Sequence, residues 1–351
     1  MISSAGRALR LHRRCREFES LITHHYELVF MCAVVAQLVR VPACHAGGRG
    51  FEPRQPRQFR CMKLNESKEK LTLSDLKEKK ASKERLAMVA VGEFLSAQWA
   101  EAAGVDIIGV GDSLGMTLYG HDNTLSVTVD QMIHHCKAVR QGAPNTFCIL
   151  AMPYGSYSTK GLAIKNASKM MKESGADAIK LQCGKDRVDI ISAVSAAGIP
   201  VMSHVGLLPH LVHLYGGFKM QGKNAQDAIK IIEDAIAIEK AGAVGIEIEA
   251  VPTEVALEVD KAVSIFTFSI GGGSAGNCQL LNGYDLVGGF NTFKPKFAKR
   301  FGNVADVATN AFKEFVKEVK DNSFPDKEHS YSMSPSEISK FKQYLKRKNK
   351  I

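Results

Sequence analysis

The amino-acid sequence predicts one (β/α)8 barrel, a closed parallel barrel of the TIM type within the α/β class. From residue 73 onward, short apolar segments alternate with amphipathic segments that have helical spacing. This alternation is typical of a parallel sheet covered by helices. About eight such units fit into about 215 residues, which suits a single barrel. A doubly wound dinucleotide-binding sheet is the alternative, but no G-x-G-x-x-G run follows the first predicted strand.

Each predicted strand is a short apolar run bounded by turn residues. The strands are placed at residues 87–91, 105–110, 147–151, 178–181, 200–203, 245–249 and 265–269, with an eighth, weaker pattern at 286–290. Helices are predicted between them, at residues 94–103, 129–139, 163–174, 225–241 and 253–262. Thr128 and Gln131 have the spacing of a capping box, which predicts a helix start there.

Residues 1–61 differ in composition from the rest of the chain. They hold 10 Arg and no Lys, whereas residues 62–351 hold 5 Arg and 31 Lys. We therefore predict an Arg-rich extension at 1–61, the barrel at 62–330 and a basic C-terminal tail at 331–351.

The extension has three possible origins. A mitochondrial transit segment fits residues 1–16, which are basic and precede the first acidic residue, Glu17. A membrane anchor does not fit, because the apolar run at 28–39 is too short to span a bilayer and contains Gln37. In the third, the segment is not native protein and synthesis starts at Met62. We favour this one, because residues 36–57 resemble a string that recurs in reading frames crossing the complement of a transfer-RNA gene.

Charge and cysteine content restrict the function classes. Residues 62–351 carry 36 Lys and Arg against 32 Asp and Glu, a net charge of +4 in place of the +10 of the whole chain. This balance gives no support for a nucleic-acid partner, and no membrane partner is expected. The four cysteines of this part are scattered and fit reduced thiols in the cytoplasm. A mitochondrial location is the alternative if the extension is a transit segment.

Polar side chains are predicted at the carboxyl ends of several strands, where barrel enzymes place their active sites. Candidates at the ends of strands two, four, five and six are Asp112, Ser113, Lys180, Gln182, His204 and Glu249. The glycine turn at 271–273 follows strand seven, where backbone amides can approach an anionic ligand. A Lys and a Glu that close otherwise apolar strands are costly to bury without partners.

Several runs in this order resemble the ketopantoate hydroxymethyltransferase family over roughly residues 88–301. They are GDSLGM (111–116), GHDNTLSVT (120–128), HCKAVRQGAPN (135–145), MPYGSY (152–157), VMSHVGLLP (201–209), GGFKMQGK (216–223), EAVP (249–252) and IGGG (270–273). The resemblance implies a TIM barrel, a 2-oxo acid substrate, 5,10-methylenetetrahydrofolate as co-substrate, Mg²⁺ and a homo-oligomer.

The resemblance also implies a role for each candidate residue. Asp112 would be a Mg²⁺ ligand, and Ser113 would hold the carboxylate of 3-methyl-2-oxobutanoate. Lys180 would offset charge on that oxo acid, and Glu249 would be the general base that forms its enolate. His204 matches the HxGLxP turn of the family and would bind the substrate; the alternative is a histidine that is hydrogen-bonded to backbone in a loop.

The metal-ligand positions depart from the family pattern. Ala151 stands where relatives have an aspartate, and Gln182 stands where they have a glutamate. Mg²⁺ prefers anionic oxygens, and of these three positions only Asp112 keeps a carboxylate. The sequence therefore leaves open whether the chain binds Mg²⁺. Two functions therefore stay open. The chain catalyses hydroxymethyl transfer, or it is a divergent barrel that lacks this activity and either acts on another 2-oxo acid or has a structural role.

A further carboxylate precedes Glu249 by two residues. Side chains two apart on a strand point to the same side, so Glu247 is predicted to face the barrel interior beside Glu249. Relatives carry an apolar residue there. Two close carboxylates repel unless a cation lies between them, and Lys180 on another even-numbered strand is the predicted partner of Glu247.

Overall fold

The computed structural model describes residues 69–290 and 294–348. The interpretations of residues 1–61, including a start at Met62, lie outside the described residues. The predicted division into 1–61, 62–330 and 331–351 stays a prediction.

Eight parallel strands pair in chain order and close into a barrel, which confirms the predicted fold class. The strands are β1 Leu86–Ala90, β2 Ile107–Val110, β3 Phe147–Ala151, β4 Ala178–Lys180, β5 Val201–Gly206, β6 Gly245–Glu249, β7 Phe266–Ile270 and β8 Cys278–Asn282. The barrel closes between β1 and β8, with Leu86 beside Cys278 and Ala90 beside Asn282.

The predicted position of the eighth strand, 286–290, is wrong. Residues Gly283–Leu286 form a short helix directly after β8, and Gly288 adopts a left-handed φ of +68° that ends the local regularity. The true strand has weaker apolar character, because its side chains at Cys278 and Leu280 are buried while its alternate residues are not. Half-buried alternation is a fainter signal than the nearly continuous apolar runs of strands such as β2 and β3.

Of the helices in the described residues, one precedes the first strand, three follow the last strand, and the others connect successive strands. In chain order they are α1 Leu73–Ala81, α2 Phe94–Ala102, α3 Leu114–Thr117, α4 Val129–Gly142, α5 Lys160–Ser174, α6 Val188–Ala196, α7 Val212–Tyr215, α8 Ala225–Lys240, α9 Thr253–Ala262, α10 Gly283–Leu286, α11 Val304–Asp321 and α12 Pro335–Lys348. The predicted capping box of α4 is present: Gln131 N–H donates to Thr128 Oγ1 at 3.2 Å, and Thr128 N–H donates to Gln131 Oε1 at 2.8 Å.

The apolar core has two parts. One lies between the strands and the helices, and the other includes side chains of most strands together with Leu76 of α1. In this second part Phe266 and Phe268 stack with ring centroids 6.0 Å apart. Packed apolar layers inside a barrel leave polar groups to the carboxyl ends of the strands, and the candidate residues are found there.

The C-terminal part of the described chain is exposed. Neither α11 nor α12 contains a buried residue, and the basic segment predicted as a tail forms α12. Across residues 69–290 and 294–348, no helix combines the length and apolar character needed to cross a membrane. The four cysteines in this range are buried free thiols: Cys136, Cys148, Cys183 and Cys278.

Candidate active site

A cavity of about 70 Å³ lies at the carboxyl ends of the strands. Its lining brings together residues of strands two, four and six that the sequence analysis singled out: Asp112, Ser113, Lys180, Gln182, Glu247 and Glu249. A larger and mostly apolar cavity of about 580 Å³ lies beside it and includes Gly271 of the predicted glycine turn. Ser113 and Glu249 line both cavities, so Glu249 lies where the two meet.

Lys180 and Glu247 form the ion pair that strand periodicity predicted. The ammonium Nζ of Lys180 donates to Glu247 Oε2 at 2.5 Å, and the two side chains are 13% and 3% exposed. Burial alone would raise the pKa of Glu247, but the Lys180 ammonium and His204 together outweigh it, so this pKa lies below its ordinary value. Burial alone would lower the pKa of Lys180, but Glu247 reverses this and raises it. Both groups are therefore charged at neutral pH.

Glu249 has the opposite electrostatic environment. Burial raises the pKa of its carboxyl group, and nearby His204 offsets only part of that effect. A carboxylate with a raised pKa at a cavity wall suits a general base, because its affinity for a proton is increased. The structure thus gives two carboxylates on one strand different properties.

His204 lies inside β5 rather than at its end, two residues before Gly206. Its ring is fully buried, and among the described residues it lines neither cavity. The closest polar contact joins His204 Nε2 and Glu249 Oε2 at 3.1 Å, although neither ring nitrogen makes an aligned hydrogen bond. In this structure His204 therefore lies behind Glu249.

A hydrogen-bonded chain on Asp112 was not predicted. The buried His210 ring contacts Asp112 Oδ2 through Nε2, and its Nδ1 lies 2.7 Å from the Tyr157 hydroxyl. The backbone N–H of His210 donates to Gln182 Oε1 at 3.0 Å. Arg187 fixes Tyr157 by donating to its carbonyl oxygen at 2.7 Å. The only sequence signal for this group is a histidine directly after the VMSHVGLLP run.

Asn282 is a second residue that sequence reasoning missed. Ser113 Oγ donates to Asn282 Oδ1 at 3.3 Å, and Asn282 lines both cavities. Asn282 is the last residue of β8, so a correct position for that strand would have identified it as a candidate.

Comparison with known proteins identifies the family. The family model of ketopantoate hydroxymethyltransferase matches residues 70–327. The chain belongs to this family. It is 43% identical to 3-methyl-2-oxobutanoate hydroxymethyltransferase 1 of Methylibium petroleiphilum over 284 residues, which cover 81% of this chain and 97% of that protein. A relative from Alkaliphilus metalliredigens is 45% identical over 75% of this chain and 93% of its own length. One from Thermus thermophilus is 40% identical over 74% and 99%.

Solved structures agree on the barrel fold. A phosphonopyruvate hydrolase has a TM-score of 0.50 and 14% identity, covering 79% of this chain and 97% of its own. A phosphoenolpyruvate phosphomutase from Streptomyces platensis has a TM-score of 0.50 and 12% identity, covering 79% and 99%. At these identities the likeness shows the fold alone.

The side chains at the expected metal position of this ketopantoate hydroxymethyltransferase family member do not fit Mg²⁺. Magnesium needs near-octahedral oxygen coordination, but Ala151 offers only a methyl group to the cavity of about 70 Å³. Asp112 and Gln182 each have a side-chain oxygen in contact with His210. The donor set therefore contains one carboxylate, and that carboxylate already has a partner.

A different group in the described chain presents metal-binding atom types. His204, Glu247 and Glu249 each have one ligand atom within 4.8 Å of the other two. The Lys180 ammonium is bound to Glu247, so the positive charge beside these carboxylates comes from a side chain.

Proposed function

We propose that this chain transfers a hydroxymethyl group from 5,10-methylenetetrahydrofolate to 3-methyl-2-oxobutanoate and yields 2-dehydropantoate. The observation that carries the proposal is the position of Glu249, a carboxylate with a burial-raised pKa at the junction of a small polar cavity and a large apolar one. Membership of the ketopantoate hydroxymethyltransferase family supports it.

The small cavity suits the oxo acid. Glu249 removes the proton on C3, beside the carbonyl group, and the electron pair of that C–H bond forms the enolate. The Lys180 ammonium stabilises the negative charge that develops on the oxygen, as a fixed charge does in a site with little water. Ser113 and Asn282 offer a hydroxyl and an amide for the carboxylate of the substrate.

The large cavity suits the pterin part of the folate. It is bounded by apolar and aromatic side chains, among them Phe218, Met220, Phe290 and Phe297, as is usual for sites that bind flat organic ligands. Water cleaves the two C–N bonds of the methylene carbon: its oxygen stays on that carbon as formaldehyde, and its two hydrogens end on N5 and N10 of tetrahydrofolate, which leaves. The enolate carbon attacks the carbonyl carbon of formaldehyde and forms the new C–C bond, and the resulting alkoxide takes the proton from Glu249. No step is assigned to Mg²⁺, because the donor set at Asp112 does not fit it.

The proposal is tested by assay of both half-reactions. The purified chain should release tetrahydrofolate when given both substrates. In heavy water it should also exchange the C3 proton of 3-methyl-2-oxobutanoate, which proton NMR detects without folate. Glu249→Gln should abolish both signals, whereas Glu254→Gln on the exposed face of α9 should leave them unchanged. Exchange of another 2-oxo acid in place of 3-methyl-2-oxobutanoate would instead favour the divergent-barrel alternative.

We also propose that the protein is a homo-oligomer. Helix α11 exposes large apolar side chains, with Val307 69%, Phe312 70% and Phe315 52% exposed. Monomers rarely leave such patches in water. Sedimentation velocity should show more than one copy, and Phe312→Asp should shift the distribution toward the monomer. The buried free thiols support the cytoplasm as its compartment.

A further inference from the structure

Asp112 and Gln182 are the two side chains that still offer oxygen atoms at the position where the family resemblance places Mg²⁺. Both are held by a single residue. His210 contacts Asp112 Oδ2 through its ring Nε2 and donates its backbone N–H to Gln182 Oε1 at 3.0 Å. The imidazole ring thus touches one of the two carboxylate oxygens that Asp112 could offer to a metal ion.

His210 is itself fixed from the other side. Its Nδ1 lies 2.7 Å from the hydroxyl of Tyr157, and the same hydroxyl contacts the backbone of Gln182, with its oxygen 3.4 Å from the Gln182 nitrogen. The Arg187 guanidinium lies 5.3 Å from the centre of the Tyr157 ring and bonds its carbonyl oxygen. Moving the imidazole aside would take one hydrogen-bond partner from the buried Asp112 carboxylate and one from the Tyr157 hydroxyl, which costs free energy at each group.

We propose that His210 closes the metal position of this chain, so that Asp112 does not bind a divalent cation and turnover does not require one. An ionised carboxylate only accepts hydrogen bonds, so Nε2 carries the hydrogen that faces Asp112. The contact gives one oxygen of the buried carboxylate a hydrogen-bond partner without a metal. His210 is a positioning residue: it fixes Asp112 and Gln182, and the charge beside the oxo acid comes from Lys180. The part of this inference that concerns turnover rests on the proposed function.

The binding part is tested with Mn²⁺ as a paramagnetic probe on the full chain after chelation. At millimolar Mn²⁺, the electron paramagnetic resonance signal of the free ion should not fall by one equivalent per wild-type chain. Ala151→Asp with Gln182→Glu restores two carboxylates but keeps His210, and should gain little affinity. Adding His210→Ala to these two removes the imidazole from Asp112 Oδ2. Mn²⁺ binding should then tighten about 10- to 100-fold, the size of the change in affinity that outer partners of metal ligands produce. His213→Ala in the same background is the matched control, because His213 is exposed on the neighbouring helix.

Two binding results would overturn the inference. One is stoichiometric Mn²⁺ binding by the wild-type chain that Asp112→Asn abolishes. The other is equal affinity with and without His210→Ala in the restored background, provided that circular dichroism shows both variants folded. If His210→Ala does not fold, His210→Gln and the wild-type titration decide the matter.

The turnover part has its own outcomes. Equal rates with chelator and with Mg²⁺ support the inference. Turnover that stops on chelation and returns with Mg²⁺ overturns it and leaves the proposed function standing. If no turnover occurs under either condition, the proposed function fails, and the Mn²⁺ titration still decides whether His210 closes the site.

Discussion

Lys180 of β4 and Glu247 of β6 meet across the barrel interior, with Nζ 2.5 Å from Oε2. Removing one partner leaves a buried charge without compensation, which typically costs about 3–5 kcal/mol. We therefore expect Lys180→Met and Glu247→Val each to lower the free energy of unfolding by about that amount. The double variant should recover most of the loss, because a buried pair replaced by apolar side chains is often neutral.

Chemical denaturation of the four chains measures this cycle. The exposed pair Lys261 and Glu258, 2.7 Å apart on α9, provides a control cycle, in which single changes should cost less than about 1 kcal/mol. Single substitutions at Lys180 and Glu247 with losses as small as the control would show that the pair is not buried in solution.

Glu249 should determine the acidic side of the pH–rate profile. A general base works in its ionised form, so kcat/KM falls as pH drops through its pKa. Because burial raises this pKa, the fall should begin at a higher pH than an ordinary glutamate would give. Glu247→Gln removes a negative charge that raises the pKa of Glu249 and releases Lys180, whose charge lowers it. The acidic limb should then move to lower pH.

The comparison needs kcat/KM across the pH range for the wild type, Glu247→Gln and the exposed control Glu254→Gln. The control should superimpose on the wild type. A limb that stays in place or moves to higher pH in Glu247→Gln would contradict the assignment of Glu249 as the base.

Periodicity made much of this fold and site predictable. Short, mostly apolar runs identified seven strands. The rule that barrel active sites lie at the carboxyl ends of strands then indicated Asp112, Lys180 and Glu249, which line one cavity. The spacing of Glu247 and Glu249 predicted that both point inward, and the bond to Lys180 confirms the partner. These inferences depend on local patterns that every strand repeats.

Contacts made by loops were not predictable in this way. His210 and Asp112 are 98 residues apart in the chain, and the loop after β5 brings them together through a short 3₁₀ turn, Pro209–Leu211. No periodic pattern encodes that path. The metal position is a second example: the sequence shows the substitutions at Ala151 and Gln182, but only the structure shows the His210 imidazole against Asp112.

The barrel should fold without the Arg-rich segment. A chain that begins at Met62 keeps the whole region matched by the family model, residues 70–327, and loses only the part whose Arg and Lys content differs. We expect it to be soluble, with the same denaturation midpoint as the full chain. An insoluble chain from Met62, beside a full-length chain that folds, would show that residues 1–61 contribute to the structure.

Gly206 positions the backbone of Glu249, and its replacement should impair catalysis beyond its effect on stability. Gly206 ends β5 with a φ of +88°, and a Cβ atom there would lie 2.3 Å from the carbonyl oxygen of Glu249. Gly206→Ala must therefore displace the backbone of β6 at Glu249, the proposed base. A displacement of about 1 Å can cost about 100-fold in rate, so kcat/KM should fall by at least about tenfold.

Gly198→Ala is the matched control, because Gly198 has a similar φ of +80° and open space around its Cβ position. Both variants carry the backbone strain of a left-handed alanine, about 1–3 kcal/mol, but only Gly206→Ala disturbs Glu249. Equal activity in the two variants, at equal fractions folded, would show that the backbone at Gly206 does not control the position of the base.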